Sequence, residues 1–403
     1  MILDISDAEF KKLFDDKELF LPKVWDGTNF DKALKTLFKH YLEKVEEFFK
    51  QHIGRTEDEN YHSTIKEACD SIRSSVQAYL DGFPAKAFES LFSAMKVLMK
   101  TPLKIYYKSS MREGVDIEDN LCLFRAACVN DIKPYDRSRM FHAPYNLRSK
   151  VATCRYSIAG YPSLYIGTSL ELCCEEIHVN PEYDRVLASM FKLERSIEHS
   201  NTNIRVIELG IKPQDFLEND DIRNESKRRR IDRNLLHGSL VRTAYLLWYP
   251  LIAACSFIRT NKNDPFAAEY IIPQLLMQWV RAEMIQDGKS DCGDCSDCCN
   301  DYYIGCEEHK RKRTKRRCKR FDQLTGIRYF SCASQRASDL GFNYVFPTSG
   351  EPISESVQYC RILSKAFKLT VPQYLHDFDN IQLCERALRT DNDLDLIIPR
   401  TML

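Results

Sequence analysis

The apolar residues of this chain change their spacing near residue 120, and this change constrains the fold more than any other feature. Before it, apolar residues recur every three or four positions, as at Phe30, Leu34 and Tyr41, which is typical of helices. After it, short apolar runs such as Leu121–Ala127 and Ser163–Gly167 alternate with turn residues, as in a mixed α/β domain. The sequence therefore predicts an α+β fold in which an N-terminal helical bundle precedes a mixed α/β domain.

Helix-ending residues divide the first part of the chain into three amphipathic helices. Asn29 is a suitable cap for the first helix and Gly54 a suitable end. Gly82 ends the second helix, and Pro84 suits the first turn of the third. Three such helices joined by short loops predict a bundle over residues 1–112.

No segment predicts export or a membrane span. The first residues, MILDISDAEFKKLF, lack a basic segment followed by an apolar stretch, so we expect no signal peptide. The most apolar run, Tyr245–Ile258, contains Pro250 and is shorter than the roughly 18 residues of a membrane helix. Lys plus Arg and Asp plus Glu both number 58, which argues against a general nucleic-acid coat protein. We expect a cytoplasmic protein with no membrane partner.

The chain has 16 cysteines, and in an unexported protein these predict thiols or metal ligands rather than disulfides. Several cluster in the segment 287–320, which has almost no aliphatic residues and is interpreted as an insertion. Cys-x-x-Cys spacing lets two thiolates reach one tetrahedral zinc ion, and a metal would order a segment that cannot fold by burial. A disordered, thiol-rich loop is the alternative, and no catalytic metal is expected. The predicted structural zinc ligands are Cys292, Cys295, Cys298, Cys306 and His309.

Two pieces after residue 120 carry side chains suited to binding an anion or stabilising a cation. Leu123–Ala126 puts Arg125 in a strand-like apolar run, where an arginine is costly unless it meets an anion or a carboxylate. Arg155–Glu176 predicts a glycine–proline loop, a strand and then a helix that ends in two glutamates. One of Glu175 and Glu176 would point into the protein, and the sequence leaves open which one.

Two later pieces predict strands with polar side chains. Gly326–Ser331 predicts a strand that ends in Ser331, and Gly341–Pro347 predicts another that contains Asn343. Each piece is weak alone, since a serine after a strand is most often a cap or a turn residue.

In this order and spacing, the four pieces resemble the RES domain, which is named for a dispersed arginine, glutamate and serine. Arg125, Glu176 and Ser331 match those three residues, and Asn343 matches an asparagine in the last core strand. The resemblance covers roughly 121 to 372 and implies a fold like that of ADP-ribosyltransferases.

The match is closest in the second piece. Members of the family show a Gly-Arg-Trp-Asn-Pro-Pro-Gly-x-Pro loop and then Leu-Tyr-Leu-Ala, where this chain has matching Arg155, Pro162 and Tyr165. It departs from the family at Cys154 and Tyr156, which replace glycine and tryptophan.

The resemblance also implies a division of the chain. We predict a helical N-terminal domain over 1–112 and an RES catalytic domain over 113–372 with its insertion at about 287–320. A C-terminal appendage follows over 373–403, with helix around Ile381–Leu388. The helical domain is expected to regulate, dimerise or sense.

The function that the resemblance implies is cleavage of the nicotinamide–ribose bond of NAD, with inorganic phosphate as co-substrate. Nicotinamide leaves NAD as a neutral molecule and needs no general acid, so one carboxylate suffices, and arginines suit the diphosphate. We expect a toxin or defence effector with an inhibitory antitoxin or regulatory partner, acting as a homo-oligomer. The predicted catalytic residues are Arg125, Glu176 and Ser331, and the predicted substrate-binding residues are Arg155, Tyr156, Tyr165 and Asn343.

Two other functions remain open at the level of sequence. An ADP-ribosyltransferase would perform the same first step and pass the ribosyl group to a protein or nucleic acid. A non-catalytic interaction protein would use the bundle and the Cys-rich segment instead. A nicotinamide-dependent dehydrogenase is not expected, because no Gly-x-Gly-x-x-Gly fingerprint follows a predicted strand.

Overall fold

A computed structural model describes the helical region, the sheet and the helices between its strands. The residues that it describes are 3, 5–52, 56–103, 122–193, 203–217, 236, 238–261, 263–287, 323–348, 358–376 and 378–397. The described helices are α1 (Asp7–Phe14), α2 (Phe30–His52), α3 (Thr56–Leu80), α4 (Pro84–Leu98), α5 (Leu170–Glu176), α6 (Pro213–Leu217), α7 (Ser239–Ala254), α8 (Ile271–Asp287), α9 (Arg361–Ala366) and α10 (Ile381–Thr390).

The strands form one mixed sheet. From one edge to the other, its order is β4, β5, β6, β2, β1, β3, β7 and β9, with β8 also beside β3. Only β4 and β5 run parallel among the described pairs. The strands are β1 (Cys122–Val129), β2 (Ser163–Gly167), β3 (Arg185–Leu193), β4 (Asn203–Leu209), β5 (Gln323–Tyr329), β6 (Asn343–Pro347), β7 (Phe367–Thr370), β8 (Gln373–Tyr374) and β9 (Leu394–Asp395).

The predicted α+β architecture, with an N-terminal helical region and a mixed sheet, is confirmed. The Asn29 side chain accepts a hydrogen bond from the Lys32 backbone N–H at the start of α2. Gly82, two residues after the end of α3, has a φ of 84°, and Pro84 is the first residue of α4. These are the helix ends that the sequence predicts; Gly54 lies outside the described residues.

The helical region and the sheet share one hydrophobic core. Phe14 and Tyr41 from the first helices belong to the same buried cluster as Ile327 and Phe346 from the sheet. The helix α7 belongs to this cluster, and every residue from Arg242 to Ala254 is buried. The most apolar run of the chain therefore lies mainly in a core helix. Over the described ranges, no helix has both the length and the apolar character needed to cross a membrane.

The segment predicted as a C-terminal appendage contributes to the same sheet. The strand β8 pairs with β3, and β9 pairs with β7. The helix α10 packs on α5, with Leu388 buried in a second, smaller core cluster that also contains Phe124 and Cys173. The last described residues therefore support the strand β1 and the helix α5.

A proline inside α7 is compensated from the N-terminal region. Pro250 has no N–H, so the carbonyl of Leu246, four residues earlier, receives no helical hydrogen bond from it. The hydroxyl of Tyr41 on α2 donates to this carbonyl over 2.5 Å. The two helices are thus joined by a hydrogen bond as well as by apolar contact.

Candidate functional site

A cavity of about 460 Å³ opens where the middle of the sheet meets α5. Its wall includes most of the residues that the sequence predicts for catalysis and substrate binding. Tyr156 and Ser331 are not among the lining residues, and both are buried behind the wall. The predicted residues that line the cavity are Arg125, Arg155, Tyr165, Glu176 and Asn343.

Neighbouring strands bring these side chains together although they are far apart in sequence. Asn343 on β6 pairs with Gly167 on β2 and with Tyr329 on β5, so the three residues form a row across the sheet. All three line the cavity, as does Arg125 on the adjacent strand β1. The order β5, β6, β2, β1 therefore explains why dispersed motifs meet at one place.

The glutamate comes from a short helix that follows β2 directly. Ser169 caps α5, since its side chain accepts from the Leu172 backbone N–H. Glu176 is the last residue of this helix, and Asn343 Nδ2 donates to Glu176 Oε1 over 2.5 Å. The amide of Asn343 thereby fixes the orientation of the carboxylate in the cavity.

Gly167 makes this close approach sterically feasible. A Cβ at position 167 would lie 2.9 Å from Cys173 Sγ and 3.2 Å from Asn343 Oδ1. The first distance is shorter than a normal contact between such atoms, so a larger residue would displace the thiol or the amide. The glycine of the predicted strand Ser163–Gly167 therefore has a packing role beside the carboxylate.

The neighbouring glutamate faces a different part of the surface. Glu175 and Glu171 both form ion pairs with Arg336, in a groove on another side of α5. Glu176 has no ion-pair partner among the described residues. Of the described residues that line the cavity, it is the one with a carboxylate. Of the two glutamates, Glu176 is thus the one that lies in the cavity.

Arg125 carries a charge that no carboxylate neutralises within the described part of the chain. Its Nη1 donates to the Phe141 carbonyl over 2.7 Å and to the Met140 carbonyl over 3.3 Å. Burial, together with the nearby charge of Arg139, lowers the pKa of Arg125 to about 10. A partly buried cation that is held only by carbonyls can still bind an anion in the cavity.

Two more arginines line the cavity near Tyr270. Arg155 donates to the carbonyls of Cys255 (3.2 Å) and Phe257 (2.8 Å), which follow α7. The Arg155 and Arg259 guanidinium carbons lie 4.8 and 5.5 Å from the centre of the Tyr270 ring. Three arginines therefore surround a cavity with one described carboxylate.

Tyrosine rings complete the wall. Tyr165, Tyr270 and Tyr329 line the cavity. The Tyr165 hydroxyl donates to the Tyr156 carbonyl over 2.6 Å, and the Tyr156 ring packs on that of Tyr329 at 4.5 Å. Burial raises the pKa of both Tyr165 and Tyr329 well above the usual value, so these phenols stay neutral. Tyr156, predicted to bind substrate, instead supports two rings that do line the cavity.

The predicted strand Gly326–Ser331 ends two residues early. The strand β5 ends at Tyr329, and the Ser331 side chain accepts from the Ala333 backbone N–H over 3.1 Å. A serine that bonds to the backbone two residues later turns the chain. The residues that reach the cavity from this turn are Cys332 and Ala333.

Sequence reasoning missed several lining residues. Tyr329 lies inside the predicted strand Gly326–Ser331, whereas Tyr270 lies outside the four pieces that the sequence singles out. Arg259 lies in a polar loop and has no local signal. Thiols line the wall as well, and burial raises the pKa of Cys332 to about 11, so it is not a thiolate at neutral pH.

The predicted zinc ligands, Cys292, Cys295, Cys298, Cys306 and His309, lie outside the described residues. Within the described ranges, no group of three or more His, Cys, Asp or Glu side chains is arranged to hold a metal ion. The zinc site therefore stays a prediction.

The chain is similar to a protein of Bacillus subtilis (strain 168) named "Putative toxin YopC". The two are 26% identical over 242 residues, which is 60% of this chain and 51% of the relative. The matched region thus spans about half of the relative's length. No model of a known protein family matches the chain. No solved structure matches it. The similarity is therefore to part of a protein that is named as a toxin.

Proposed function

We propose that this protein is an RES-type enzyme that cleaves the nicotinamide–ribose bond of NAD and acts as a toxin or defence effector. The observation that carries the proposal is the charge pattern of the cavity. One carboxylate, Glu176, is held by Asn343 in a cavity whose three arginines have no carboxylate partner among the described residues. The toxin name of the bacterial relative agrees with this proposal.

The chemistry needs one fixed negative charge. Nicotinamide leaves as a neutral molecule, and positive charge then develops on the ribose. Glu176 stabilises this cation because a preorganised charge costs no reorganisation when the bond breaks. Asn343 holds one carboxylate oxygen, which leaves the other oxygen for the ribose.

The remaining groups suit the rest of the dinucleotide. Arg125 and Arg155 bind phosphate oxygens, because a planar guanidinium makes paired, charge-assisted hydrogen bonds to them. Tyr165 and Tyr329 offer neutral rings against which the nicotinamide or adenine packs. Inorganic phosphate is the proposed acceptor; it is already an anion and needs no strong base.

The decisive variant is Glu176→Gln. Glutamine keeps the size of the side chain and an oxygen that accepts from Asn343, but it removes the charge. Nicotinamide release from NAD by the purified protein should fall ~10²-fold or more, the scale for loss of one preorganised electrostatic group.

The matched control is Glu175→Gln, which changes the adjacent glutamate outside the cavity. This variant should release nicotinamide at the rate of the unchanged protein. Wild-type turnover by Glu176→Gln would overturn the role of Glu176, and no turnover by the unchanged protein would favour an interaction protein.

The acceptor is tested by analysing the products with and without phosphate. Phosphorolysis predicts a rate that rises with phosphate concentration and a product that carries the added phosphate. Free ADP-ribose with no effect of phosphate would identify water as the acceptor. Transfer of label from NAD to protein or nucleic acid would identify a transferase.

A further inference from the structure

Two positively charged side chains share one aromatic ring on the cavity wall. Arg155 and Arg259 both lie over Tyr270, and all three residues line the cavity. Arg155 lies in the loop before β2, whereas Arg259 and Tyr270 belong to the segment between α7 and α8. The fold thus brings a second arginine, from a separate part of the chain, beside one that the sequence predicts for substrate binding.

Backbone carbonyls, rather than carboxylates, hold both arginines. Arg155 binds the carbonyls of Cys255 and Phe257. Arg259 donates from Nε to the Asn261 carbonyl over 3.0 Å and from Nη2 to the Asp264 carbonyl. Neither has an ion-pair partner in the described part of the chain. Neutral backbone groups therefore orient both cations.

The closeness of two arginines to one ring favours the binding of an anion. Two like charges near one ring repel each other, and partial burial weakens their hydration. The face of the ring attracts both cations. An oxyanion between the guanidinium groups would neutralise the repulsion and form charge-assisted hydrogen bonds to the donors that the carbonyls leave unused.

We propose that Arg259 and Arg155, held together by Tyr270, form a phosphoryl-binding subsite of the cavity, and that Arg259 determines its preference for phosphorylated ligands. This inference rests on the proposed function for the class of ligand, a nucleotide with a diphosphate. The shared chemistry is a phosphoryl oxyanion, which either the nucleotide or free inorganic phosphate supplies.

The experiment measures binding rather than turnover. Full-length protein is titrated calorimetrically with ADP and, separately, with inorganic phosphate. Loss of a hydrogen bond to a charged group costs about 1.5–3 kcal/mol, so Arg259→Gln should weaken binding of the relevant probe by ~10-fold or more. If the subsite binds the diphosphate of the nucleotide, Arg259→Gln should weaken the binding of ADP. If it binds the phosphate that acts as acceptor, Arg259→Gln should weaken the binding of inorganic phosphate.

Two further variants separate binding from folding. Arg281→Gln is the matched control, because Arg281 also lies over a tyrosine ring, that of Tyr161, but does not line the cavity. It should bind both probes as the unchanged protein does. Tyr270→Phe keeps the ring and should preserve binding, whereas Tyr270→Leu should weaken it.

The subsite is overturned if Arg259→Gln binds both probes with unchanged affinity, or if the unchanged protein binds neither. Binding that depends on Arg259, in a protein that releases no nicotinamide from NAD, would support the subsite and reject the proposed function. The two proposals therefore fail separately.

Discussion

At the scale of single residues, Gly167 controls how closely the amide and the thiol beside Glu176 approach. Gly167→Ala would place a methyl group 2.9 Å from Cys173 Sγ. We expect a stability loss of about 1–3 kcal/mol from overpacking. Nicotinamide release should fall ~10-fold or more, because a small displacement of an orienting group such as Asn343 impairs catalysis.

Cys173→Ala provides the control for this prediction. Removing the sulfur in the Gly167→Ala background makes room for the new methyl group, so part of the stability and the activity should return. Urea unfolding and nicotinamide release measure the two effects. If the double variant is no better than Gly167→Ala alone, the contact with Cys173 is not the cause.

His142 gives the protein a pH dependence of stability. It is buried, its Nδ1 lies 2.8 Å from the Ala143 carbonyl, and its Nε2 accepts from the Cys360 N–H. Burial lowers the pKa of His142 to about 4, and Arg125 contributes to the decrease. The folded state therefore binds this proton less readily than the unfolded state does.

The sign of the effect follows from this difference. Between the unfolded pKa of roughly 6.5 and the folded value, the unfolded state binds more protons, so stability falls as the pH falls. One such group contributes a slope of up to about 1.4 kcal/mol per pH unit. Urea midpoints from pH 7 to 4 should show this slope, and His142→Gln should reduce it. The exposed His376→Gln should not, and an equal change in both variants would contradict the assignment.

The sequence predicts which residues line the cavity better than it predicts the directions in which their side chains point. The order of the motifs leads to Arg125, Arg155, Tyr165 and Asn343, all of which line it. Glu175 and Glu176 are adjacent on one helix, and only the ion pairs of Arg336 and the position of β6 separate their environments.

At the scale of elements, the hydrogen bond between Tyr41 and Leu246 depends on Pro250. Tyr41→Phe leaves the Leu246 carbonyl without this donor in a buried helix, at an expected cost of about 1–3 kcal/mol. In a Pro250→Ala background, the restored N–H of residue 250 bonds the same carbonyl. In that background, Tyr41→Phe should lower the free energy of unfolding much less. Urea unfolding of the four proteins measures the coupling, and equal costs in both backgrounds would contradict it.

A second prediction at the scale of elements concerns zinc binding by the Cys-rich segment 287–320. If its thiols bind structural zinc, protein purified without a chelator should contain about one zinc per chain by elemental analysis, the stoichiometry of a single four-ligand site. Removing the metal should leave nicotinamide release intact, because the proposed chemistry uses none. A zinc content well below one per chain would favour the disordered loop.

Elements with local signals are predictable, and those without them are not. Ser169 caps α5 where the sequence predicts a helix after a strand. By contrast, β3 is almost continuously buried, and such a run lacks the alternation that distinguishes a strand from a buried helix. The pairing of Arg259 with Arg155 depends on how α7 and α8 pack, which no local pattern encodes.

At the scale of the whole molecule, the helical region and the sheet cannot be separated without exposing core. Residues from Arg242 to Ala254 are buried, and Tyr61 joins Tyr41 in donating to carbonyls of α7. We therefore expect the fragment 113–403 to lose its cooperative thermal unfolding, because apolar burial stabilises by roughly 25 cal/mol per Å². Circular dichroism and limited proteolysis test this. A folded fragment with full nicotinamide release would contradict it.

The backbone bridge between Lys23 and Phe257 links the first residues of the chain to the cavity. Lys23 N–H donates to the Ser256 carbonyl (2.9 Å), and Ile258 N–H donates to the Lys23 carbonyl (2.8 Å). The Phe257 carbonyl between them accepts from Arg155. A ligand that immobilises Arg155 should therefore slow amide hydrogen exchange at Ile258. If the ligand stabilises the bridge in this way, a molecule that binds to the stabilised bridge and the ligand raise each other's affinity by the same factor. A molecule that binds at Lys23 and stabilises the bridge would then act as an allosteric effector of ligand binding, without contacting the cavity.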